Sequence, residues 1–184
     1  MSNDVITTRV ETAHHEAGHA IAYMAHGLTF RYITLRPVRS SGALGMIRQW
    51  RPKLRDGQTM SVILLAGLTA ECLYRGLSDP ELECGWIERD DVLAGVHLTL
   101  MEHRHFDEIA EADRAFPIQS LSAKIEKTTL LIDRAWPSVS ALAQACLDSP
   151  RAITYPEALR AIGAENPEHA MEIIYAPRPA QVGA

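Results

Sequence analysis

At 184 residues the chain has the length of one ordinary domain, able to bury roughly 70% of the surface its unfolded form exposes. A hydrophobic fraction of 47% and a charged fraction of 22% exclude a disordered, collagen-like or disulfide-scaffold protein. The net charge of -5 supplies no global positive field, so a nucleic acid is not an expected partner.

The three cysteines, Cys72, Cys84 and Cys146, form no CxxC pair and no even framework, and the opening Met-Ser-Asn-Asp-Val-Ile lacks the positive charge and apolar run of a secretory signal. A reducing, cytoplasmic location is the expectation. The longest uncharged apolar-rich stretch, 57–70, is shorter than the about twenty residues a membrane span needs.

In chain order, Thr8 to His26 contains no proline and repeats apolar residues at Val10, Ala13, Ala17, Ala20, Ile21 and Met24, which predicts a helix stopped at Gly27. Phe30 to Pro37 is β-branched and aromatic and ends on proline, as an edge strand would. A turn at Ser40-Ser41-Gly42 and a second strand from Leu44 to Trp50 complete a hairpin or small sheet. Ser61 to Leu77 is apolar nearly all round, the pattern of a central buried helix, with Gly76 at its end. A loop from Pro80 to Arg89 precedes a helix from Asp90 to His103. Further helices are expected from Ile118 to Ala135, Pro137 to Leu147, Pro156 to Ile162 and Pro167 to Tyr175, the last three opening on proline. The expected architecture is one mainly α domain over residues 1–175 with a small β-hairpin or sheet, followed by a disordered tail over 176–184.

The segment that carries chemistry is His14-His15-Glu16-Ala17-Gly18-His19, an HExxH motif inside the first helix. Residues i and i+4 share a helix face, so His15 and His19 can direct two imidazoles at one Zn2+ while Glu16 stands beside the ion as a base. Shuffling this composition would produce such a motif in roughly three chains per hundred, so the motif alone is suggestive and its helical placement adds weight. A catalytic zinc takes a third protein ligand, and Asp90, Asp91 and Glu71 are the candidates. Each has a plainer reading: the aspartates can cap a helix, and Glu71 lies four before Arg75, an ordinary ion-pair spacing. Spacing alone does not choose among them.

Five segments in order resemble the zinc-peptidase domain of FtsH-type proteases: His15-Glu16-Ala17-Gly18-His19-Ala20, Ile33-Thr34-Leu35-Arg36-Pro37, Ala43-Leu44-Gly45-Met46, Leu65-Ala66-Gly67-Leu68-Thr69-Ala70-Glu71 and Asp90-Asp91-Val92. They span Val10 to Met101. The resemblance implies a zinc site of His15, His19 and Asp91, with Asp90 the second choice, and a supporting carboxylate, Glu71, that orients a ligand histidine. It implies Glu16 as catalytic base, and Leu44, Gly45 and Met46 as a strand that pairs with an extended substrate. Leu68 stands where the family typically has arginine. The chain has no Gly-Lys dipeptide and hence no Walker A loop, unlike full-length relatives with their ATPase module and membrane spans.

The function this implies is an ATP-independent zinc metalloendopeptidase acting on unfolded or flexible polypeptide, as a homo-oligomer or beside a separate ATPase. The competing expectations are a catalytically weak binding or regulatory subunit, and a regulatory peptidase with a single protein substrate.

Overall fold

The computed structural model describes residues 3–37, 44–49, 57–76 and 118–177. Helix accounts for 68% of the interpretable residues, and the remainder includes a small three-stranded antiparallel sheet. In chain order the elements are α1 (Asn3–Ala25), β1 (Phe30–Thr34), β2 (Met46–Gln49), α2 (Gly57–Tyr74), α3 (Ile118–Arg134), α4 (Trp136–Asp148), β3 (Ile153–Thr154), α5 (Tyr155–Ala161) and α6 (Pro167–Tyr175).

Helix α1 begins five residues before the expected Thr8 and runs unbroken to Ala25, because nothing between these points removes a backbone donor. Arg9 is exposed and residues 10–12 are half-buried, whereas the later segment, Ala20 to Ala25, is buried on every side. The HExxH motif therefore lies where the helix enters the core. Gly27, at φ 65°, ends it: its N–H bonds the Met24 carbonyl, while the next N–H, of Leu28, reaches back to Tyr23.

Helix α2 packs along α1, and the two backbones come close because small residues face each other. A Cβ built on Gly18 would lie 2.4 Å from the Ala66 carbonyl oxygen and 2.7 Å from the Ala70 Cβ. Most of α2 is buried, as a central helix would be, through Val62, Ile63, Leu65, Ala66, Thr69, Ala70 and Cys72, while Leu68, Glu71 and Leu73 are half-buried and Tyr74 is exposed. Gly76, at φ 74°, marks its end. Helix α3 covers α2, α4 lies on another face of α1, and one continuous core joins them with the sheet and the two short C-terminal helices.

Strand β1 is not the edge strand its terminal proline suggested. It is the middle of the order β2-β1-β3, pairing Ile33 with Ile47 on one side and with Ile153 on the other. Pro37 lies beyond the last paired residue, Thr34, and so removes no donor from the ladder. The third strand is only two residues long, and it is held by its pairing with Tyr32 and Ile33. The C-terminal helices match expectation to within a residue, each with its proline in the first turn. The expected turn at 40–42, loop at 80–89, helix at 90–103 and most of the tail lie outside the described residues. Among the described residues no helix is long and apolar enough to cross a membrane.

Candidate metal centre

Helices α1 and α2 run antiparallel, and a single face of α2 serves the two motif histidines. One turn apart on α2, Ile63, Gly67 and Glu71 meet His19, both imidazoles, and His15 in that order. The His19 Nδ1–H donates to the Ile63 carbonyl at 2.6 Å. The His15 Nδ1–H donates to Glu71 Oε2 at 3.3 Å. A carbonyl and a carboxylate can only accept, so these partners fix the proton of each neutral ring on Nδ1.

The consequence falls on the other nitrogens. The two Nε2 atoms face each other at 3.1 Å, with the ring planes 83° apart. In the tautomers just assigned neither carries a hydrogen, so two lone pairs converge. A shared cation relieves that repulsion; a proton serves one line between them, whereas a metal ion serves both lone pairs at once. Two nitrogens on one tetrahedral zinc, each at about 2.0–2.1 Å, stand roughly 3.3 Å apart, close to the observed spacing.

On the α2 side the two rings pack directly against the Gly67 backbone. Gly67 has no side chain, and a Cβ placed there would lie 2.4 Å from His19 Nε2 and 2.8 Å from His15 Nε2. Any other residue at this position would push the two nitrogens out of the arrangement in which they converge. The donor pair and its fixed tautomers fit a zinc ion.

Glu71 resolves the choice between an ion pair and a support for histidine by doing both. While Oε2 accepts from His15, Oε1 accepts from Arg75 Nη2 at 2.8 Å, and Arg75 Nε reaches Glu11 Oε1 at 3.1 Å. The His15 N–H, with the neighbouring Arg75 charge adding to it, holds the Glu71 carboxyl below its ordinary range, so it remains an acceptor. The chain of contacts Glu11, Arg75, Glu71, His15 ties the outer end of the site across both helices.

Glu16, only 6% exposed, lies on the adjoining strip of α1. Burial pushes its carboxyl up to about 7, opposed by His15 and by the Ile47 backbone N–H, which donates to it. Gly45 is pressed against it: a Cβ there would be 2.9 Å from both the Cγ and Oε1 of Glu16 and 2.8 Å from Thr12 Cγ2. Of the expected substrate strand, Met46 opens β2 opposite Thr34, Gly45 precedes it against the Glu16 carboxylate, and Leu44 is about half exposed. Among the described residues strand β2 is a sheet edge, and its Ile47 N–H looks toward the motif.

The other histidines near the motif do plainer work. His14 is buried, stacks on Tyr74 at 4.2 Å and Trp136 at 5.5 Å, and bonds the Val10 carbonyl; desolvation keeps its pKa low. His26 bonds the Ala22 carbonyl.

Asp90 and Asp91 lie outside the described residues, and so do His97, His103 and His105. Among the described residues no group of three or more His, Cys, Asp or Glu side chains converges. Gly67 and the Arg75–Glu11 bridge are site features that the sequence did not single out, whereas Gly45 entered through the resemblance as part of the substrate strand. Gly67 had one available signal: a glycine inside a strongly apolar helix costs up to about 1 kcal/mol relative to alanine and so implies a close neighbour. No protein-family model matches this chain, and no curated protein does.

Proposed function

We propose that the chain is a zinc-dependent peptidase, similar in its site to FtsH-type proteases, that hydrolyses flexible or unfolded polypeptide. The observation that carries this reading is the pair of facing Nε2 atoms, each left without a hydrogen by an Nδ1–H committed elsewhere, with no side chain at Gly67 to push them apart and the Glu16 carboxylate alongside. His15 and His19 would hold the ion, with Asp91 or Asp90 as the third ligand that the resemblance supplies.

Zinc in such a site supplies Lewis acidity toward a carbonyl oxygen and acidifies a water. Glu16 is the base: its carboxylate accepts the proton of the attacking water and returns it to the leaving amine. Its burial suits both transfers, since a carboxyl raised to about 7 neither holds nor refuses a proton strongly near neutrality. Gly45 lets the chain entering β2 pass directly against that carboxylate, and the outer edge of β2 offers a main-chain surface to an extended substrate. Glu71, braced by Arg75, keeps the His15 ring from rotating its Nε2 away. The absence of a Walker A loop from the sequence means that ATP should not alter the rate.

The test pairs metal analysis with digestion of a permanently unfolded protein. Wild type should hold about one zinc per chain and cleave, and Glu16→Gln should keep the zinc and the fold while losing hydrolysis, because an amide cannot take the proton. Full turnover by Glu16→Gln, or zinc retained at full stoichiometry by the His15→Ala, His19→Ala double variant, would refute the proposal.

A further inference from the structure

The proposed chemistry does not use a cavity of about 630 Å³ on the Glu16 side of α1. That size is ordinary for a ligand pocket and ample for a large side chain with its backbone. Its walls include Ile33, Leu35, Leu44 and Ile153, and its α1 border is formed by Arg9 and Thr12. Thr12 lies one helical turn before Glu16, and Gly45 touches both residues, so the cavity opens next to the proposed base. Cys146 also lines it, but burial pushes this thiol up to about 12, so it stays protonated and uncharged.

The charges around the cavity are one-sided. Arg9, Arg36 and Arg151 line it, with no acidic residue among the described lining residues. Arg151 is neutralised by Glu157. Arg9 and Arg36 are not: Arg36 Nη2 bonds the Pro150 carbonyl at 3.1 Å and Arg9 Nη2 bonds the Leu147 carbonyl at 3.5 Å, with no carboxylate on either among the described residues. A guanidinium anchored by one N–H to a carbonyl keeps its remaining donors for a planar anion. Two such groups beside an apolar recess complement a ligand that carries a carboxylate and a large aliphatic or aromatic side chain on neighbouring atoms. The carboxyl-terminal residue of a polypeptide has that form.

The geometry points to this cavity as a subsite for the apolar carboxyl-terminal residue of the substrate, with Arg9 and Arg36 binding its carboxylate. The assignment rests on the peptidase reading for its consequence: with the last residue seated one helical turn from Glu16, about 5 Å, the bond presented to the base lies one or two residues from the chain end. The substrates are then chains with free, apolar carboxyl termini.

The experiment measures binding apart from turnover. A fluorescent hexapeptide ending in leucine, as the free acid and as the amide, is titrated by anisotropy into the Glu16→Gln protein with zinc. The acid should bind at least about tenfold more tightly than the amide. An Arg9→Gln, Arg36→Gln double variant should erase that preference while the Lys double variant keeps part of it, and Leu44→Ala should weaken acid and amide alike. Thermal melts establish that each variant is folded. Equal binding of acid and amide, no detectable binding of either, a preference that survives the Gln double variant, or equal binding of an amidated peptide bearing a terminal glutamate side chain would each overturn the assignment. The two readings fail separately: acid-selective binding by a protein that cleaves nothing refutes the peptidase alone. Cleavage of an unfolded chain with no acid preference refutes the subsite alone.

Discussion

The sharpest single-atom test of the proposed metal centre is Gly67→Ala. The added methyl would stand 2.4 Å from His19 Nε2 and 2.8 Å from His15 Nε2. Relaxed contact between such atoms is about 3.5 Å, so the rings must retreat by up to about 1 Å, at a cost of roughly 0.5–1.5 kcal/mol for each ring driven off its rotamer. Replacing a mid-helix glycine with alanine returns about 0.5–1 kcal/mol. With both rings displaced the net cost is about 0–2.5 kcal/mol, so the metal-free variant should stay folded, its melting midpoint lowered by no more than about 10 °C. Zinc is different, since rings that have retreated from the methyl no longer hold both nitrogens at about 2.0–2.1 Å from one point. Affinity should fall by about a hundredfold or more, equivalent to about 2.7 kcal/mol. Competition with a chromophoric chelator reads the affinity, and circular dichroism melting of the apo protein reads the fold. Wild-type zinc affinity in a folded Gly67→Ala protein would show that the two Nε2 atoms do not share an ion, and the reasoning from their tautomers would fail with it.

Glu71→Gln should weaken zinc binding by about 10–100-fold with little change in apo stability, as expected when the acceptor that orients a ligand histidine loses its charge; unchanged affinity in the chelator assay would remove Glu71 from the site. Gly18→Ala should be destabilising despite its better helix propensity, by about 1–3 kcal/mol, because its Cβ meets the Ala66 carbonyl at 2.4 Å and the helices must separate; a denaturant midpoint at or above that of wild type would contradict the packing. The Glu157 carboxyl, held by Arg151 and by the N–H and hydroxyl of Thr154, should titrate at about 2 instead of 4.5. Its folded pKa is depressed, so its contribution to stability is complete above the unfolded value and is lost as pH falls toward 2; an NMR midpoint at about 4 for this side chain would contradict the pairing.

Local patterns were legible in the sequence, and relations between distant segments were not. Helix α1 and its motif could be read because an i, i+4 spacing carries its own geometry, and proline in the first turn located α4, α5 and α6 to within a residue. The edge assignment for β1 failed because β3 has only two residues and no alternation to show, and it exists as a strand through its pairing to Tyr32 and Ile33. The residues at 71 and 75 were seen as either an ion pair or part of the site. Both hold, because a carboxylate has two oxygens and the structure turns one toward each partner. Gly67 and Gly45 were visible only as members of a resembling string. Their effect depends on where α1 crosses α2 and where β2 passes over Glu16, and neither relation is encoded at any one position.

The features of the centre follow from one register between two helices. Going up α2 in steps of four, the Ile63 carbonyl, the bare Cα of Gly67, the Glu71 carboxylate and the Arg75 guanidinium meet, going down α1, His19, the His19–His15 gap, His15 and Glu11. Gly18 against Ala66 and Ala70 sets how close that face can come. A slip of one turn would take the carbonyl from His19 and the carboxylate from His15 together, and both rings would lose the partners that direct their lone pairs at one point. The small residues at the crossing and the polar residues beside it are thus parts of one constraint. The same close approach that packs the core also fixes the tautomers, so the protein should lose metal before it loses its fold when that crossing is disturbed.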